Sequence, residues 1–128
     1  MEINKDFGCV KLNLNLDYGI YSMGLKAASG KTYLYKLLSS TADENNAICL
    51  TYPNYRYVDS LYELAVKLNS KIIILDRYDM YVNTFKDDII RLKDSNVILL
   101  DSKHGTDFDQ HVNECIVRMR DNVLEVLP

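Results

Sequence analysis

No apolar run in this chain approaches the ~18 residues that a membrane-crossing helix needs, and residues 1–7 (MEINKDF) carry neither a basic region nor an apolar segment. Neither membrane insertion nor export is expected. A basic run is also missing: 15 Lys and Arg stand against 18 Asp and Glu, a net charge of −3, so nonspecific nucleic-acid binding is not expected either. Cysteine is scarce and odd in number. Cys9, Cys49 and Cys115 show no C-x-x-C spacing, and Cys9 and Cys49 lie in apolar, strand-like contexts where cysteine acts as a small hydrophobe. Reduced, structural thiols and a cytoplasmic location follow as the expectation. Repeats, low-complexity stretches and interdomain linkers are absent, which predicts a single domain over residues 1–128, long enough for a core but with little room for a lid or a substrate domain.

Apolar segments alternate with amphipathic ones along the chain. Val10, Leu12, Leu14 and Leu16 alternate with polar residues and predict a half-buried strand, which Asp17-Tyr18-Gly19 turns into a second strand over residues 18–23. A helix over about Lys31 to Ser40 follows, then strands at Ala47 to Thr51, Lys71 to Asp76 and Val97 to Leu100. Between them, Tyr57, Val58, Leu61, Leu64, Ala65 and Leu68 predict one helix, and Val82, Phe85, Ile89 and Leu92 another, with Thr84 and Asp87 as its capping box. Residues 114–127 read as a terminal hairpin turning at Asp121-Asn122. The continuous apolar runs predict buried parallel strands. The expected fold is α/β: a small three-layer, mainly parallel sheet with antiparallel edge strands or hairpins at both termini.

The stretch Leu25-Lys26-Ala27-Ala28-Ser29-Gly30-Lys31-Thr32 ends as a phosphate-binding loop of pattern G-x-x-x-x-G-K-[ST] ends, although Leu25 stands at the first glycine and Gly24 comes one residue early. Such a loop wraps an anion with successive backbone N–H groups, here those of Ala27, Ala28, Ser29, Gly30, Lys31 and Thr32, at the positive end of a helix. The Lys adds charge, and the Thr hydroxyl suits Mg²⁺. A strand before the loop and a helix after it are what this requires. Lys71 to Asp76 (KIIILD) adds a buried strand closed by a carboxylate that can reach a bound metal.

On SGKT at Ser29 to Thr32 and IIILD at Ile72 to Asp76, the chain resembles the P-loop NTPase superfamily. The resemblance implies ATP or GTP with Mg²⁺: Lys31 on the β- and γ-phosphates, Thr32 on Mg²⁺, and Asp76 holding that ion directly or through water. Arg77 stands where many family ATPases carry a catalytic Glu, which implies weak or partner-dependent hydrolysis. Candidate catalytic groups are Asp79, as a base polarising water, and His104, where some P-loop proteins set a sensor of the γ-phosphate; Ser102 is an equal candidate for the sensor. Asp76-Arg77-Tyr78 also resembles the D-R-Y element of thymidylate kinases, which implies a small nucleotide kinase as another reading. The L-S-G-G-Q signature of ABC transporter ATPases is absent.

Ligands of open α/β sheets bind at the carboxyl ends of the strands. Tyrosines gather in the segments expected there: of ten in the chain, five fall in residues 52–57 and 78–81. Tyr52, Tyr55, Arg56, Tyr57, Arg77, Tyr78 and Tyr81 therefore form a candidate rim for a protein partner, since Tyr and Arg concentrate binding energy at interfaces. An adaptor or inhibitor acting through this rim, without catalysis, is the alternative to a nucleotide-binding domain.

Overall fold

A computed structural model describes residues 1–23, 30–40, 46–81, 83–101 and 112–128. Its described residues form three α-helices and two sheets, one of them all parallel. Among the described residues no helix is long and apolar enough to cross a membrane.

The parallel sheet has the order β4-β5-β6-β3-β7, built from β3 (Gly19–Ser22), β4 (Ile48–Leu50), β5 (Ile72–Leu75), β6 (Val97–Leu100) and β7 (Val112–Glu114). All four residues of β5 and of β6 are buried, as continuous apolar runs covered on both faces must be. Strand β3 lies beside β6, with Gly19 opposite Val97 and Ser22 opposite Leu100. The expected strands at Gly19 to Met23, Ala47 to Thr51, Ile72 to Asp76 and Val97 to Leu100 thus share one parallel sheet, and β7 joins it unannounced by any apolar run.

Antiparallel strands do not edge this sheet as expected. β1 (Glu2–Asp6), β2 (Lys11–Asn15), β8 (Ile116–Arg120) and β9 (Val123–Leu127) form a second sheet, ordered β1-β2-β9-β8. Leu12 and Leu14 seek an apolar face, and β2 finds it by pairing in parallel with β9, Leu12 against Leu124 and Leu14 against Val126, instead of folding back on β3. The terminal hairpin β8–β9 turns at Asp121 (φ 50) and Asn122 (φ 62), the two positive φ values that a tight type I′ hairpin demands. Cys9 is exposed in the β1–β2 turn and is not the small core hydrophobe expected, whereas Cys115 is buried. All three cysteines are free thiols.

Two cores result. Ile72, Ile74, Val97 and Leu99, on one face of the parallel sheet, pack with Leu34, Leu37 and Leu38 of α1 (Lys31–Ser40) and with Leu12, Leu14, Leu124 and Val126 of the second sheet. On the opposite face, Ile73, Leu75, Ile98 and Leu100 pack with Leu61 and Ala65 of α2 (Leu61–Leu68) and with Ile89 and Leu92 of α3 (Lys86–Leu92).

Both later helices begin after where the periodicity places them. A 3-10 turn at Tyr55–Tyr57 and an extended Val58 precede α2, because Ser60 caps it by accepting from the Glu63 N–H at 3.1 Å. A second 3-10 turn at Tyr78–Tyr81 precedes α3. The expected Thr84–Asp87 capping box is not formed: Phe85, at φ 65, is the N-cap and makes no side-chain cap bond. Asp88 instead serves the neighbouring helix, accepting from the Ser60 hydroxyl (3.3 Å) and the Tyr62 N–H (3.1 Å).

Candidate functional site

Three strand ends and one helix start converge at the carboxyl end of the parallel sheet. Gly30, at φ 87, delivers the chain into α1, and its carbonyl accepts the first helical bond from Leu34 N–H at 2.8 Å. A Cβ at Gly30 would stand 2.9 Å from Leu124 Cδ1, so glycine serves both the left-handed backbone and the close approach to the second sheet. Lys31, the first residue of α1, sends its Nζ to Asp101 Oδ1 at 3.0 Å, and both side chains are largely buried, 13% and 14% exposed.

Asp101 follows β6 as Asp76 follows β5. The Asp101 N–H donates to the Leu75 carbonyl (3.0 Å), and the Asp76 N–H to the Leu50 carbonyl (2.8 Å), so the ladder of the sheet fixes both acids at its rim. Burial, then the hydrogen bond and charge of Asp101, push the Asp76 carboxyl up to about 6 from its usual 3.8, against the opposing charge of Arg77. The two acids stand on neighbouring strand ends, and Lys31 is drawn to Asp101.

Asp79 does not stand ready as a base. Its two oxygens accept from Arg77 Nε (3.1 Å) and a terminal guanidinium nitrogen (3.0 Å), a two-pronged ion pair, and its side chain is only 5% exposed. Arg77 itself takes a left-handed φ of 51 just past β5.

Tyr78 and Tyr81 are core residues, not parts of a docking rim. Tyr78 is fully buried, its hydroxyl donating to the Thr84 carbonyl (3.0 Å). Tyr81, also buried, donates to the carbonyls of Asp76 (3.0 Å) and Leu50 (3.4 Å), so its ring tethers the ends of β4 and β5. Burial and the nearby Asp76 charge raise its phenol well above the usual range. Tyr55 is half-buried, whereas Tyr52, Arg56 and Tyr57 are exposed, Tyr57 the most at 81%.

The structure thus brings together Lys31 and Asp76 among the expected site residues, through Asp101. Asp101 received no role from the sequence, yet Val97–Leu100 followed by Asp101 repeats the pattern of Ile72–Leu75 followed by Asp76, and that repetition is the signal for it. Ala27, Ala28, Ser29 and His104, with Gly24, Leu25 and Ser102, lie outside the described residues, as does the side chain of Thr32. Among the described residues no group of three or more His, Cys, Asp or Glu side chains is placed to hold a metal ion. A hard cation at the Asp76–Asp101 pair would need further oxygens from a ligand or water.

No protein-family model, curated protein or solved structure matches the chain.

Proposed function

We propose that this chain is a cytoplasmic, compact nucleotide-binding domain of the P-loop kind, taking ATP or GTP with Mg²⁺ at the carboxyl ends of β3, β5 and β6. The observation that carries the reading is the convergence of Lys31 and Asp76 on Asp101, with Lys31 Nζ and Asp101 Oδ1 3.0 Å apart. An anion-binding lysine at a helix start and a metal-side acid from a separate strand must face one volume; the ion pair of Lys31 with Asp101 and the neighbouring strand ends of Asp101 and Asp76 support that. Chain order adds support. From β3 the chain runs to the far edge at β4 and returns through β5 and β6 to lie beside β3, while β7 pairs on the other side of β3. Strand order reverses at β3, and the crevice outside such a reversal is where open α/β sheets bind ligands.

In this reading Lys31 contacts the phosphates, and Gly30 with Ala27, Ala28 and Ser29 supplies backbone donors. Thr32 and Asp76 hold the Mg²⁺ side, with Asp101 added to them. Magnesium is commonly bound by one or two carboxylates completed by phosphate and water, which suits a pair that is no metal cage by itself. Hydrolysis is weak or depends on a partner, because Asp79 is engaged by Arg77; His104 remains the candidate sensor. Free cysteines suit the cytoplasmic setting. Calorimetric titration with ATP, GTP and ADP, with and without Mg²⁺, tests the reading.

An adaptor or inhibitor is the second reading, favoured by the exposure of Tyr57 (81%) and Tyr52 (41%) beside Arg56 on one short segment. Failure to bind nucleotide at millimolar concentration would favour it. The D-R-Y kinase reading is weakened, since Tyr78 is buried and Arg77 is held by Asp79.

A further inference from the structure

Three tyrosine rings form a stack that leads from the core to the surface at the carboxyl rim. Tyr81 and Tyr55 lie nearly parallel, 6° apart with centroids 4.5 Å apart, and Tyr55 and Tyr52 follow at 29° and 5.8 Å. The inner end is anchored by the Tyr81 hydroxyl on the Asp76 and Leu50 carbonyls (3.0 and 3.4 Å), and the ring of Tyr78 meets Tyr81 edge-on at 5.3 Å. The segment bearing the outer rings is held as firmly. Asn54 Oδ1 accepts from Thr51 N–H (2.6 Å), and the N–H groups of Asn54 and Tyr55 both donate to the Thr51 carbonyl (3.2 and 2.9 Å). At the outer end Tyr52 is 41% exposed, and no other described ring stacks on it.

A stack already ordered and ending in an exposed ring is a platform to which one more flat ring can be added without fixing any side chain. Stacking on an aromatic side chain is tolerant of base identity, because every nucleobase presents a π-face. The platform joins the acid–lysine cluster through Tyr81, which bonds the backbone of Asp76 itself. From β4, which precedes Tyr52, to β6, whose end holds Lys31 through Asp101, the rim crosses two strand spacings, roughly 10 Å. An extended nucleoside triphosphate can bridge that length.

We infer that Tyr52 is the stacking site for the base of the nucleotide whose phosphates face Lys31, a recognition role that rests on the reading above for its phosphate end. The platform selects for a flat heteroaromatic ring over bare oligophosphate.

Calorimetric titration of the full chain with Mg·ATP, Mg·GTP and Mg·tripolyphosphate tests this. The better nucleotide binds roughly ten- to a hundredfold more tightly than tripolyphosphate, the range expected of one base stacked on an aromatic ring. Tyr52→Ala, at an exposed position, removes that gap and leaves tripolyphosphate affinity unchanged; Tyr52→Trp keeps it. A gap that survives Tyr52→Ala overturns the inference. Lys31→Ala weakens nucleotide and tripolyphosphate alike, so its failure counts against the phosphate end and not against the platform. If no phosphate compound binds, adenosine and guanosine titrated to millimolar concentration decide: shifted ring resonances of Tyr52 and Tyr55 support the platform, and unmoved resonances overturn it.

Discussion

Asp101 Oδ1 accepts from Lys31 Nζ at 3.0 Å, joining the residue that follows β6 to the residue that begins α1. Asp101 also raises the Asp76 carboxyl, so a change at Asp101 is felt on both sides. In Asp101→Asn, the Asp76 carboxyl should titrate below its value of about 6, moving toward 3.8 without reaching it, because burial remains the largest cause. Carboxyl-carbon NMR across a pH series measures this; an unmoved Asp76 would mean that the two acids do not interact.

Stability should carry the same signature. An acid whose folded-state pKa is raised stabilises the fold fully below its unfolded value of 3.8, and that contribution is lost as pH rises through about 6. Asp76→Asn removes the titration, so the variant should gain on the native chain by about 1–2 kcal/mol between pH 4 and pH 7.5, allowing for partial exposure. Urea unfolding at the two pH values gives the comparison, and a gap that is constant with pH would contradict it.

Gly30→Ala places a methyl group at φ 87 and 2.9 Å from Leu124 Cδ1. A loss of about 1–3 kcal/mol is expected, part from the left-handed backbone and part from crowding. Replacing Leu124 with Val in the same chain should return only the crowding part, as read by urea unfolding of the single and double variants.

The tyrosines should divide by burial. Tyr81→Phe loses the bonds to the Asp76 and Leu50 carbonyls and should cost about 0.5–1.5 kcal/mol, whereas Tyr57→Ala, at an 81% exposed position, should stay within about 0.5 kcal/mol. Equal costs in urea unfolding would contradict the assignment of Tyr81 to the core.

Alternation and apolar runs are local signals, and they were legible in the sequence: Ile72–Leu75 and Val97–Leu100 became buried parallel strands, and Lys31–Ser40 a helix. Partner choice between strands is not local. Nothing within KLNLN says whether Leu12 and Leu14 face β3 or the distant Leu124 and Val126, so the second sheet escaped the reading, and with it β1, whose single buried Ile3 gives a weak pattern. Asp88 shows the same limit at a helix end, since its partners Ser60 and Tyr62 lie 28 and 26 residues away. In the candidate site, a motif and an apolar run single out Lys31 and Asp76 in the sequence. Of the tyrosines expected at the rim, Tyr78 and Tyr81 are core residues instead, because composition counts rings without showing which way the 3-10 turn at Tyr78–Tyr81 directs them.

Whether Lys31 faces a nucleotide phosphate is read most directly by calorimetric titration of the native chain and Lys31→Ala with Mg·ATP and Mg·GTP. Saturable binding by the native chain is expected, with a weakening of roughly tenfold to a hundredfold in the variant, as the loss of one charge-assisted contact of about 1.5–3 kcal/mol requires. Equal affinity in the two proteins, or no binding to the native chain at millimolar nucleotide, would contradict it.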